Sequence, residues 1–99
     1  MARLDVYRME AGKGYLLDVQ ADFLSSLSTR VVVPLLPLAE VPPPSKTLNP
    51  IFRIGSDEVV MATQLLAAVP KSAVKTSIAN LSDQHDKIVA AIDFLMQGF

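Results

Sequence analysis

At Ser82 the spacing of apolar residues changes from a period near two to a three-and-four pattern. Leu81, His85, Ile88, Val89, Ile92, Leu95, Met96 and Phe99 fall on one stripe, with Asp83, Gln84, Lys87 and Asp93 off it. That pattern predicts an amphipathic helix at the carboxy-terminal end. Ser82 is placed as its N-cap, Asp83 and Asp86 suit the positive end of the helix dipole, and Gly98 ends it. Phe94 lies off the stripe. It reads as an extra core or subunit contact, or as an exposed anchor for a partner.

Everything before Ser82 reads as short strands and turns. Leu4 and Val6 alternate with Asp5 and Tyr7, "EAGKG" supplies a turn, and Tyr15, Leu17 and Val19 then share one face with Leu16, Asp18 and Gln20 on the other. This predicts an amino-terminal hairpin. "RVVVPLLPL" is a β-branched run. Its Pro34 cannot donate to a ladder and is expected at an edge, a bulge or a strand end. Pro42 to Pro44 make a stiff loop inside one domain. A second hairpin is expected with Ile51–Ile54 and Val59–Thr63 as arms and "GSDE" as the turn. A short strand should end near Pro70, and "KTSIANL" is ambiguous. The sum is a mainly β fold closed by one carboxy-terminal α-helix.

Length and composition limit the rest. A chain of 99 residues has room for one domain, spanning 1–99. Its hydrophobic fraction of 51% exceeds what so small a core absorbs, and the surplus predicts a homodimer. Nine basic and ten acidic residues are spread along the chain without a block of either sign, which argues against direct nucleic-acid binding. There is no cysteine, so disulfides, thiolate nucleophiles and Cys-ligated zinc are excluded. Arg3, Asp5, Arg8 and Glu10 interrupt any leader core, and no apolar run approaches membrane-spanning length. A cytoplasmic protein that does not engage a membrane is expected.

Little catalytic chemistry is legible. His85 is the only histidine, and "SDQHD" matches no ligand spacing, so it reads as a solvated helix start and no metal or cofactor is expected. "GKG" at Gly12 to Gly14 is a turn, because a phosphate loop needs a longer glycine-bounded segment. Ser25, Ser26, Ser28 and Ser72 lack the setting of an activated nucleophile. Arg30 and Arg53, with Thr47 or Thr63, could stabilise a phosphoryl transition state in an endoribonuclease. Strand arginines more often pair with acids or cover apolar surface.

Two stretches carry a family resemblance. "LLDVQADFLSSLSTRVVVPL" resembles a D-V-Q-x-D segment followed by two apolar residues, a spacer, Arg and V-x-P-L. "LNPIFRIGSDEVVMATQLLAAVPKSAVKTSIANLS" with "IVAAIDFLMQGF" resembles, in order, L-x-P, M-x-T, A-x-V-P-x-S, A-x-L-S and a helix ending in Gly plus one apolar residue. The ordered set is similar to the CcdB-type toxins of toxin–antitoxin modules.

The resemblance implies a homodimeric SH3-like β-barrel with a carboxy-terminal helix, a fold shared with MazF-type ribonucleases. It implies a protein that is not an enzyme, binds the A subunit of DNA gyrase, traps gyrase on cleaved DNA and is neutralised by a CcdA-like antitoxin. Gln97, Gly98 and Phe99 match the gyrase-contacting tail, and Phe23, Leu24, His85, Asp93 and Met96 match positions around that surface. One position departs from the pattern. Gln97 stands where the family tryptophan would stack on an arginine, a loss of about 2 kcal/mol at such an anchor. A MazF-like endoribonuclease, or a toxin remnant that binds antitoxin but not gyrase, are the alternatives.

Overall fold

The computed structural model describes residues 2–10 and 12–98. Among these, seven strands precede one helix: β1 (Asp5–Arg8), β2 (Tyr15–Asp18), β3 (Thr29–Pro37), β4 (Ile51–Ile54), β5 (Asp57–Met61), β6 (Ala67–Pro70), β7 (Ser77–Asn80) and α1 (His85–Gln97). Every pairing is antiparallel, in the order β4-β5-β3-β2-β1-β7 with β6 beside β3. The sheet curls into a half-barrel, the mainly β class with one carboxy-terminal helix that the alternation predicts.

The amino-terminal hairpin forms in the expected register, with Val6 opposite Leu17 and Arg8 opposite Tyr15. Its Gly14 is required by space: a Cβ there would stand 2.7 Å from the Leu35 carbonyl oxygen. The second hairpin is tighter than expected. Ile54 pairs directly with Asp57, so only Gly55 and Ser56 form the turn, and Gly55 takes the positive φ that a two-residue loop demands. Thr63, expected to end the second arm, instead opens a one-turn 3-10 segment, Thr63–Leu65. The ambiguous "KTSIANL" contains β7, which pairs with β1 across a register irregularity between Val6 and Tyr7.

Pro34 corrects a sequence expectation. It lies in the middle of β3, the longest and most central strand, opposite Leu16. On its other side β3 pairs with β6 through Thr29–Val32 and with β5 through Leu35–Pro37. Pro34 sits where one neighbour hands over to the next, so its missing N–H interrupts no ladder, and its carbonyl accepts the Ala62 N–H at 2.9 Å.

Alternation along the strands divides the side chains between two faces. Val6, Leu17, Val19, Val33, Leu35, Phe52, Val59 and Met61 form the main core, which α1 covers with Ile88 and Ala91. Leu4 joins this core in a left-handed backbone conformation (φ 71°), a strain of about 1–2 kcal/mol for a non-glycine residue. Its N–H reaches the Asp18 carbonyl and its carbonyl takes the Leu81 N–H, so this one residue ties β2 to the lead-in of the helix. Tyr7, Val32 and Val74 form a smaller cluster on the opposite face.

The helix also departs from its predicted details. A 3-10 turn, Ser82–Gln84, leads into α1, and Ser82 gives no side-chain cap. Its N–H is instead held by Asn80 Oδ1 at 2.8 Å. The buried meridian runs through Ile88 and Ala91, with the partly buried Ile92 packed against the same core, rather than through His85 and Met96, both of which are exposed. The small Ala91, outside the predicted stripe, is completely buried against the sheet, and each residue advances the helix by about 100°. Centring the contact on Ala91 therefore turns His85 and Met96 out to one flank. Gly98 ends the helix as expected, in the left-handed region (φ 82°) with its N–H on the Phe94 carbonyl.

Candidate functional site

Two exposed apolar features stand out, on separate elements. The first is the connection from β2 to β3, whose 3-10 turn spans Asp22–Leu24. Phe23 is 93% exposed at its tip, and Leu24 and Leu27 are also exposed. Monomeric proteins seldom leave an aromatic ring so bare beside other apolar groups. The turn is nonetheless well tied. Asp22 Oδ1 accepts the Arg3 N–H at 2.7 Å, Gln20 Nε2 donates to the Leu24 carbonyl at 2.9 Å, and Lys71 Nζ donates to the Ser25 carbonyl at 3.2 Å.

The second feature is the last turn of α1. Asp93 is half-buried, while Met96, Gln97 and Gly98 are exposed. The left-handed Gly98 lets the chain leave the helix without a Cβ clash. Phe99, which matches the final tail position, lies outside the described residues. His85 shares the Met96 flank, but the helix rise puts about 18 Å of axis between it and Gln97. Its Nδ1 lies 3.3 Å from Asp86 Oδ1. Within the chain Asp93, Met96, Gln97 and Gly98 are brought together, while His85 stands at the other end of the helix and Phe23 and Leu24 stand on the turn.

Beneath the face opposite α1 is a buried charge pair. Arg30 donates from Nε and Nη2 to Asp18 Oδ2, at 2.9 and 2.6 Å, and both side chains are 0% exposed. Asp18 Oδ1 accepts the Gln20 N–H. Burial pushes the Asp18 carboxyl up from the ordinary range, while the hydrogen bonds from Arg30 and Gln20 pull it back. This placement agrees with the reading of Arg30 as a strand arginine paired with an acid and counts against a phosphoryl-stabilising role, because the guanidinium is enclosed with Nε and Nη2 on Asp18, although its buried Nη1 has no hydrogen-bond partner. Arg53 is exposed on β4 opposite Glu58, and Thr63 Oγ1 is spent on the Leu48 carbonyl.

Tyr7 lies on the same face, with its hydroxyl buried and without a hydrogen-bond partner. Burial, reinforced by the charges of Asp5 and Asp18, raises its pKa to about 12. The unfolded chain loses this proton near pH 10 and the folded chain keeps it, so stability present below pH 10 is lost as the pH rises toward 12. The expected loss is about 2 kcal/mol. Urea midpoints measured across that range should fall for the native chain and fall less for Tyr7→Phe. Equal slopes would show that the phenol is not the group responsible.

A groove of about 680 Å³ lies between Arg8, Tyr15, Glu40 and Asp57. Its polar groups answer one another: Tyr15 donates to Asp57 at 2.6 Å, Arg8 sits over the Tyr15 ring at 5.6 Å, and Lys13 faces Glu40 at 3.7 Å. Among the described residues no group of three or more His, Cys, Asp or Glu could hold a metal ion, and no helix is long and apolar enough to cross a membrane.

A curled antiparallel sheet backed by one carboxy-terminal helix, with apolar side chains on an anchored turn and at the helix end, defines a protein whose candidate site is a contact surface. Compared with known families, the chain matches the one described as CcdB protein over residues 3–98. It belongs to the CcdB family, and with it to the toxins of toxin–antitoxin modules.

The sequence missed the groups that hold the turn. Gln20, Asp22, Arg3 and Lys71 make its bonds. Gln20 and Asp22 were visible only as letters of the D-V-Q-x-D segment.

Proposed function

We propose that the protein is a gyrase poison: a cytoplasmic homodimer that binds the A subunit of DNA gyrase, traps the gyrase–DNA cleavage complex and is neutralised by a CcdA-like antitoxin. The observation that carries this reading is the 93% exposure of Phe23 on a turn fixed by hydrogen bonds. An exposed aromatic held in place is suited to fill a partner's pocket, since little ordering cost remains to be met on binding. Phe23, Leu24, His85, Asp93, Met96, Gln97, Gly98 and Phe99 form the proposed contact set, presented twice by a dimer. Exposed Ile51, Leu65 and Phe94 supply apolar surface for a second copy. The chemistry is binding rather than catalysis, and the buried Arg30 weighs against the ribonuclease alternative.

The test is incubation of the purified protein with gyrase, ATP and supercoiled DNA, scoring trapped double-strand breaks. Breaks are expected with the full chain and not with a variant lacking Gly98 and Phe99 that keeps its dimer and its circular dichroism. A folded dimer that yields no breaks, with a gyrase that responds to a control poison, would leave the remnant reading in place. RNA cleavage by the same preparation would favour the ribonuclease.

A further inference from the structure

The D-V-Q-x-D segment resolves into three hydrogen-bond anchors, and the middle one connects the buried charge pair to the exposed turn. Gln20 is 6% exposed. Its N–H is held by Asp18 Oδ1 at 3.1 Å, its Oε1 accepts the Val31 N–H at 3.0 Å, and its Nε2 donates to the Leu24 carbonyl at 2.9 Å. One side chain thus ties the turn to the strand that leaves it, while its backbone rests on the Arg30–Asp18 pair.

We propose that Gln20 is a positioning residue for the Phe23–Leu24 contact, holding the turn in its binding geometry through the Leu24 carbonyl. This rests on the gyrase reading above. Residues 21–29 are all exposed, so no burial of their own orders them, and such segments open locally at small free-energy cost. Three bonds within the turn, from the amides of Leu24, Ser25 and Leu27, make a short 3-10 coil that needs outside support. The Asp22 and Lys71 tethers are on exposed groups, where water competes. The Gln20 tether comes from a buried side chain, where an unmade hydrogen bond is costly and the made one is correspondingly persistent.

Gln20→Glu, studied at alkaline pH where the carboxyl is ionised, keeps the acceptor for Val31 and removes the donor to Leu24. Hydrogen exchange should show the Leu24, Ser25 and Leu27 amides exchanging about ten-fold faster, the value of one such hydrogen bond, with the Leu17 and Val33 amides unchanged. Affinity for the gyrase A subunit should fall by about the same factor. Adding Ala21→Pro should restore much of both. Ala21 is exposed at φ −59° and ψ 139°, within proline's range, so the ring stiffens the turn's entry without touching the core. A general folding defect would not be rescued this way. Should a buried carboxylate unfold the protein, the neutral and shorter Gln20→Asn cuts the same reach. Turn amides that exchange at native rates would overturn the proposal, as would a loosened turn that binds gyrase as tightly as before. If the native chain itself does not bind gyrase, the functional reading fails, and the exchange comparison alone decides whether Gln20 orders the turn.

Discussion

Arg30→Ala is expected to destabilise the protein by about 3–5 kcal/mol, because it leaves the Asp18 carboxylate buried without its counter-ion. Both groups are completely enclosed, so bulk solvent does not reach the carboxylate in the folded protein to replace the guanidinium. Against a total stability of about 5–15 kcal/mol for a domain of this kind, the melting temperature should drop by roughly 15–30 °C. Asp18→Leu combined with Arg30→Met should recover much of the loss, since it removes both charges and fills the space. Recovery should be incomplete, because the Gln20 N–H then loses its acceptor. Urea denaturation of the single and double variants measures the coupling. A single-variant cost below about 1 kcal/mol, the range of exposed pairs, would mean that the pair is solvated.

The second large effect is expected on binding and not on stability. Phe23→Ser should weaken the gyrase complex about 30- to 100-fold, the scale of an aromatic hot spot, while the free energy of unfolding changes by less than about 0.5 kcal/mol. The dissociation follows from exposure: at 93% exposed, the ring contributes almost nothing to the core. Titration of the gyrase A subunit against each protein, beside a denaturation curve, separates the two quantities. Unchanged affinity would remove Phe23 from the contact set. A large loss of stability would mean that the ring packs in the folded protein.

These two residues also mark the limit of what local patterns convey. Arg30 on β3 and Asp18 on β2 are twelve positions apart, and nothing in their neighbouring residues announces the pairing. Both lie in segments whose composition and alternation predict strands, but which arginine meets which acid depends on the register of β2 against β3, which puts Asp18 opposite Val32. Only family resemblance points to Phe23. Its neighbours alone, two apolar residues after an aspartate, do not say whether the ring turns inward or outward.

Elements built on short-range periodicity were legible in the chain. The first hairpin follows from alternation around glycines, the second from Ile51–Ile54 and the run ending at Met61, and the helix from three-and-four spacing capped by Gly98. Local geometry decides each of these, since backbone sterics and side-chain period act over a few residues. What the whole fold decided was orientation and partnership. Ala91, outside the predicted stripe, is completely buried in the helix contact, and with the helix rotated onto it His85 and Met96 face the surface. Pro34 could stand mid-strand only because β6 and β5 divide that edge of β3 between them. Gln20 became an anchor only when the return strand brought Val31 within its reach. Such outcomes depend on contacts between distant segments, whose geometry no local stretch of sequence specifies.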